Sequence, residues 1–218
     1  MSEKNQQAEN TSPKRRTVLY SIVRAIAFIC FHTIFPVVYH GREKLRQTGP
    51  YILISNHFSN WDPLVNGYPI SQEVIFLGKK ELVKSPLISW IFHAVRMIPI
   101  DRHNMDMAAM RSCFKALKEK EILLIYPEGT RHHEGIMEKT ESGVATIALR
   151  QSVPVVPMLI ASKVRPFHVT HVYVGDDIPT EDIREAGINK ETCQMFMDRV
   201  QDTYRTMICQ NETRGQVD

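Results

Sequence analysis

The sequence predicts an α/β domain with a largely parallel sheet covered by helices. Three observations carry this. From residue 50 onward, short apolar runs alternate with helix-start signals, in which Ser, Asp, Thr or Asn precedes a periodic apolar pattern. Residues 51–55 and 122–126 are apolar without strict alternation, as strands buried on both faces require. The 218 residues, 43% hydrophobic and 23% charged, suit one domain with a sizeable core.

Taken in order, residues 1–16 are polar and basic, ending in Lys14-Arg15-Arg16, and read as a disordered tail. Residues 17–40 hold an apolar tract over 18–38, interrupted by Arg24, His32 and Pro36. No small-residue cleavage site follows it, which argues against a secretory signal. Arg24 would be costly in a spanning helix. The tract therefore predicts one or two helices lying in a membrane interface, with Arg24 reaching to head groups and a break near Pro36. A core helix of the domain is the competing reading. Residues 41–218 form the domain itself.

Within it, strands are expected over 51–55, 74–77, 98–100, 122–126, 155–161 and 169–174. Helices are expected over 63–68, 85–93, 105–120 and 144–150, with a short one from Thr180 and a last one capped by Asn189. Asp62 is expected as N-cap of the first of these, with Pro63 at its first position. The prolines of Val153-Pro154-Val155-Val156-Pro157 suggest a strand start or a sheet edge.

The net charge of +3 hides a gradient. Residues 1–46 carry eight Lys/Arg against three Asp/Glu, and residues 176–218 carry five against ten. A basic front suits an anionic partner; the apolar tract beside it favours a membrane surface over nucleic acid. Cys30, Cys113, Cys193 and Cys209 form no C-x-x-C pair, which fits a reducing intracellular setting and excludes a disulfide scaffold or structural zinc.

The chemistry gathers where strands hand over to helices. Ser55-Asn56-His57-Phe58-Ser59-Asn60-Trp61-Asp62 follows the first buried strand, at the edge of an open sheet where ligands bind. Asp62 can orient His57 by one ring nitrogen, leaving the other to take a proton from a hydroxyl. Arg102 and Arg131 follow later strands at the same edge. Two guanidinium groups there suit a phosphate, and Gly129 would let backbone approach a ligand. No cysteine or G-x-S-x-G serine lies in a motif, so no covalent acyl-enzyme is indicated.

Four blocks in this order resemble the glycerolipid acyltransferases of the lysophosphatidate acyltransferase type. They are Asn56-His57-x4-Asp62, Ile98-Pro99-Ile100-Asp101-Arg102, Pro127-Glu128-Gly129-Thr130-Arg131, and Val153 to Pro157. The resemblance implies an αβα sandwich and attachment to the cytoplasmic face of the cell membrane. It also implies acyl transfer from acyl-CoA or acyl-carrier protein, as co-substrate, to a lysophospholipid hydroxyl, with 1-acyl-glycerol-3-phosphate foremost. No metal or cofactor is implied. His57 would be general base and Asp62 its orienter, while Asn56, Arg102, Glu128, Gly129, Thr130 and Arg131 would serve substrate binding. The chain departs from the pattern at Arg96, where relatives commonly have Gly, and at Thr140-Glu141-Ser142-Gly143, where they often have Phe-Lys before a Gly-initiated helix. Glu141 bears on the acceptor head group.

Two rivals differ in class. A metal-dependent hydrolase would recruit His132, His133 or Glu134, but their spacing is not that of a zinc motif. A non-catalytic lipid-binding scaffold would not need His57 and Asp62 together with both arginines.

Overall fold

The computed structural model describes residues 18–79, 96–100, 107–131 and 135–212. The helix expected over 85–93 lies outside them. Seven strands form one sheet: β1 (Val37–His40), β2 (Tyr51–Ser55), β3 (Val74–Lys79), β4 (Ile98–Ile100), β5 (Ile122–Ile125), β6 (Val155–Ile160) and β7 (Thr170–Val174). Their order is β1-β7-β6-β2-β5-β3-β4. Every pairing is parallel except β6 with β7. The predicted fold class holds.

β2 lies between β5 and β6, and all five of its residues are buried. Its side chains alternate between faces, which is why the run need not alternate in polarity. Tyr51 and Leu53 join one apolar cluster with Ala27, Phe31 and Val65. Ile52 and Ile54 join the other with Cys113, Ala145, Phe196 and Tyr204. These clusters define three layers. Helices α1 (Val18–Thr33) and α2 (Asp62–Gly67) cover the first face. Helices α3 (Met107–Lys118), α4 (Gly143–Arg150), α5 (Glu181–Glu185) and α6 (Lys190–Glu212) form the other layer. Full burial is worth about 1.5–3 kcal/mol for each large apolar side chain, so the central strand is among the best-anchored parts of the fold. At the start of α6, Asn189 Oδ1 accepts from Thr192 N at 2.9 Å, as the cap reading required.

Four expectations are corrected. Residues 37–40, grouped with the N-terminal helical segment, form an edge strand instead. Pro36 separates α1 from it, and the Thr170 N–H donates to the Pro36 carbonyl to start the ladder with β7. Arg24 turns inward rather than toward head groups. Its guanidinium donates to the Ile70 carbonyl and lies 5.6 Å from the centre of the Tyr68 ring, where a free carbonyl and a π face replace solvent. Asp62 is not the N-cap of α2; Trp61 holds that place, and Asp62 is the first helical residue. Pro154 directly precedes β6, as a strand start requires, but Pro157 lies within that interior strand and not at a sheet edge. The register with β7 ends at Met158↔Val174, so the missing N–H of Pro157 falls where that antiparallel ladder closes.

Arg96 adopts a left-handed backbone, φ 53. Glycine would adopt that conformation without strain. Here the Arg96 guanidinium donates to Glu121 Oε1 at 2.8 Å and holds the backbone in place from outside.

Candidate active site

β2, β5 and β6 run parallel, so their carboxyl ends share one sheet edge. β2 ends at Ser55, and the chain then turns sharply into α2. The turn is built around the Asp62 carboxylate, which is completely buried. Asp62 Oδ2 accepts from Phe58 N, Ser59 N and His57 Nδ1, each at 2.7 Å. Asp62 Oδ1 accepts from the Ser59 hydroxyl at 2.8 Å. Four donors from the loop thus outcompete the N–H groups of its own helix, the physical reason Asp62 does not cap α2.

Because a carboxylate only accepts, its bond to His57 sets the proton on Nδ1. Nε2 has no partner among the described residues. It is not a buried orphan either: the buried side-chain polar atom without a partner is Asn66 Oδ1. The His57 side chain is 14% exposed, so the ring is largely enclosed without being sealed from solvent. The structure therefore brings the His/Asp pair read from the sequence together, with the imidazole oriented by the carboxylate.

The ring is fixed from a second side. Tyr126, just past β5, stacks on His57 with ring centres 4.2 Å apart and planes inclined by 22°. Its hydroxyl accepts from Asn66 Nδ2 at 3.1 Å. Burial, with the nearby Asp62 carboxylate, pushes the Tyr126 phenol well above its usual range. It remains a neutral platform at physiological pH.

Two residues expected to bind substrate are occupied internally. Asn56 is buried and pairs reciprocally with Ile160: Nδ2 donates to the carbonyl at 2.9 Å, and Oδ1 accepts from the N–H at 2.8 Å. Glu128 Oε2 accepts from His57 N and Oε1 from Met137 N, both at 2.8 Å. Each braces the loop that carries His57. Gly129 takes φ 66, but what lies over it is the chain's own Glu141: a Cβ there would stand 2.9 Å from Glu141 Cγ. Thr130 and Arg131 are exposed. Arg131 Nη1 donates to Asn60 Oδ1 at 3.2 Å, so the third block and the His57 loop meet. Arg102, His132, His133 and Glu134 lie outside the described residues.

Sequence reasoning passed over Ser59, Tyr126 and Tyr204. Ser59 was within the motif and could have been flagged as a donor three residues before an Asp. Tyr204, on α6, gave no local signal; its hydroxyl donates to the carbonyls of Ile54 at 2.7 Å and Met158 at 3.1 Å, directly beneath the motif. Burial pushes its phenol well above the usual range too.

A groove of about 830 Å³ opens at the opposite edge of the sheet, lined by residues including His40, Glu43, Asp177, Asp198 and Asp202. Its acidic lining does not suit an anionic lipid, and it is remote from His57.

A buried carboxylate, a histidine whose tautomer it sets and an arginine-bearing loop thus meet at the carboxyl edge of the parallel strands, an arrangement chemically able to accept a proton. The chain belongs to the Acyltransferase family, whose model matches residues 36–161. It is 30% identical over 123 residues to a 1-acyl-sn-glycerol-3-phosphate acyltransferase of Streptococcus pneumoniae, covering 55% of this chain and 45% of that one. It is 29% identical over 152 residues to the enzyme of the same name from Limnanthes douglasii, covering 64% and 53%. The chain thus spans about half the length of these curated relatives. The crystal structure of the 1-acyl-sn-glycerophosphate acyltransferase PlsC from Thermotoga maritima shares the fold, with TM-score 0.63, 20% identity, and 87% of this chain and 78% of that one covered.

Proposed function

We propose that the protein transfers an acyl chain from a thioester donor, acyl-CoA or acyl-carrier protein, to the free hydroxyl of a lysophospholipid, 1-acyl-glycerol-3-phosphate foremost, in phospholipid synthesis. The observation that carries this is the orientation of His57: Nδ1–H is held by a buried carboxylate, and Nε2 has no partner among the described residues. The names of the relatives supply the acceptor class.

A lipid hydroxyl is a weak nucleophile until its proton is being removed. His57 Nε2 takes that proton as the oxygen attacks the thioester carbonyl, and Asp62 stabilises the imidazolium that forms. Collapse of the tetrahedral intermediate expels the thiolate, to which His57 returns the proton. No covalent enzyme intermediate is required. Arg131, and Arg102 by its place in the sequence, would bind the acceptor phosphate by paired hydrogen bonds.

The enzyme would work at the anionic cytoplasmic face of the cell membrane. Among the described residues no helix is long and apolar enough to cross a membrane. On α1, Ile22, Ile26 and Ile29 are exposed at helical spacing, while Ala27 and Phe31 pack inward. Such a helix suits lying in the interface.

The test is incubation of the purified protein with labelled acyl-CoA and a panel of lysolipids, followed by product identification, with and without chelator. Transfer to lysophosphatidate that survives chelation and is lost in His57→Ala supports the reading. Hydrolysis alone, or dependence on a metal, refutes it.

A further inference from the structure

We propose that the turn joining β6 to β7 is a second membrane contact, one that fits an anionic bilayer surface and tilts the mouth at His57 onto it. This rests on the reading that α1 lies on the bilayer. The observation is an apolar ring held outward at some cost. The His168 N–H approaches the Arg165 carbonyl at 3.4 Å, closing a turn with Pro166 second and Phe167 third. Phe167 takes φ 60. That third place, with positive φ, is ordinarily given to Gly or Asn. A bulky ring there is strained, and with Phe167 78% exposed its side chain gains little packing among the described residues.

The turn is not a loose loop. The Phe167 N–H donates to the Ile34 carbonyl at 2.6 Å, tying it to the chain just past α1. Val164 is buried beneath it. Close to the turn in the chain, Val169 is exposed, and so is Ile34, which follows directly on α1. Phe35 then meets Trp61 with ring centres 5.5 Å apart. Trp61 is itself largely exposed and lies four residues from His57. Exposed apolar side chains therefore stand on α1, on the turn and in the loop that carries His57.

The charges select the partner. The turn carries Lys163, Arg165 and His168, all exposed, and residues 161–170 contain no acid. An exposed aromatic at a tip with cations behind it matches the bilayer interface: ring among the acyl chains, cations at the phosphates.

The experiment is cosedimentation of the full chain with phosphatidylglycerol-containing and pure phosphatidylcholine vesicles. Phe167→Gly removes the ring and accepts the backbone without strain, so its Tm should be unchanged or higher. Burying one Phe corresponds to roughly a tenfold to hundredfold weaker partitioning in that variant. Arg165→Gln should weaken binding to the anionic vesicles alone. Transfer to lysolipid in vesicles should fall in Phe167→Gly, while a water-soluble short-chain acceptor is used as before. If Phe167→Gly binds as the parent does while Ile26→Ser/Ile29→Ser is lost, the turn proposal is overturned and the α1 reading stands. If the parent itself does not sediment, both fail. If Phe167→Gly instead turns a dimer into a monomer with vesicle binding intact, the turn is a contact between copies and the proposal is overturned.

Discussion

Glu128→Gln separates positioning from substrate binding. Both carboxylate oxygens accept backbone N–H groups, those of His57 and Met137. A glutamine can accept with only one oxygen, and its amide NH2 must face the other N–H. One buried donor is then orphaned and one charge-assisted bond becomes neutral. The orphaned donor costs about 1–3 kcal/mol and the lost charge assistance about 1 kcal/mol, so the variant should be destabilised by roughly 2–4 kcal/mol. At about 2–4 °C per kcal/mol for a chain of this size, Tm falls by roughly 4–16 °C. Because one bond carries the His57 backbone, kcat should also fall, on the order of tenfold or more, as the base drifts from its approach line. The KM for acceptor should hardly move. The assay is a thermal melt beside steady-state kinetics with acceptor varied at saturating donor. A normal melt and normal kcat with only acceptor KM raised would refute the reasoning, and would return Glu128 to the substrate.

Asp62→Asn should keep the fold, because the Ser59 hydroxyl can turn to accept from the new amide. It should lose on the order of 10²–10⁴ in kcat, since a neutral amide no longer stabilises the imidazolium; unchanged kcat with a lowered Tm would contradict this. Arg131→Ala should raise acceptor KM roughly tenfold to a hundredfold with donor KM unaffected, from the loss of about 1.5–3 kcal/mol in charged hydrogen bonds, and Arg131→Lys should recover only part of it. Burial pushes the Cys113 thiol up to about 12, so at pH 8 it stays protonated. A maleimide pulse on the native protein followed by mass mapping should label exposed Cys209 and spare Cys113.

His57 and Asp62 were legible because their partnership is local: five residues apart, between an apolar run and a proline. The central strands were legible for the same reason, each being a short run of branched residues. What escaped was set by distance or by direction. Glu128 and Asn56 were placed in the right loops, but a motif does not say whether a polar side chain points to the ligand or back into the protein. Both point back, because turning a strand end into a loop leaves backbone groups that need partners. β1 was read as helix because Val37–His40 continues the apolar character of α1, and only pairing with β7, more than a hundred residues on, makes it a strand. The reach of Tyr126 across to Asn66 likewise depends on strand neighbours that a linear reading does not order.

The Tyr204 hydroxyl has a consequence for the birth of the protein. It closes on the Ile54 carbonyl across 150 positions of chain. The loop that carries His57 leaves the ribosome well before the clamp beneath it, which arrives with α6. At about 5–20 residues per second, that interval is roughly 8–30 s. During it, the strand end below His57 lacks its buried donor. A nascent chain arrested before residue 204 would therefore hold the whole motif without the donor that closes the strand end beneath it, and competence for transfer would wait on Tyr204.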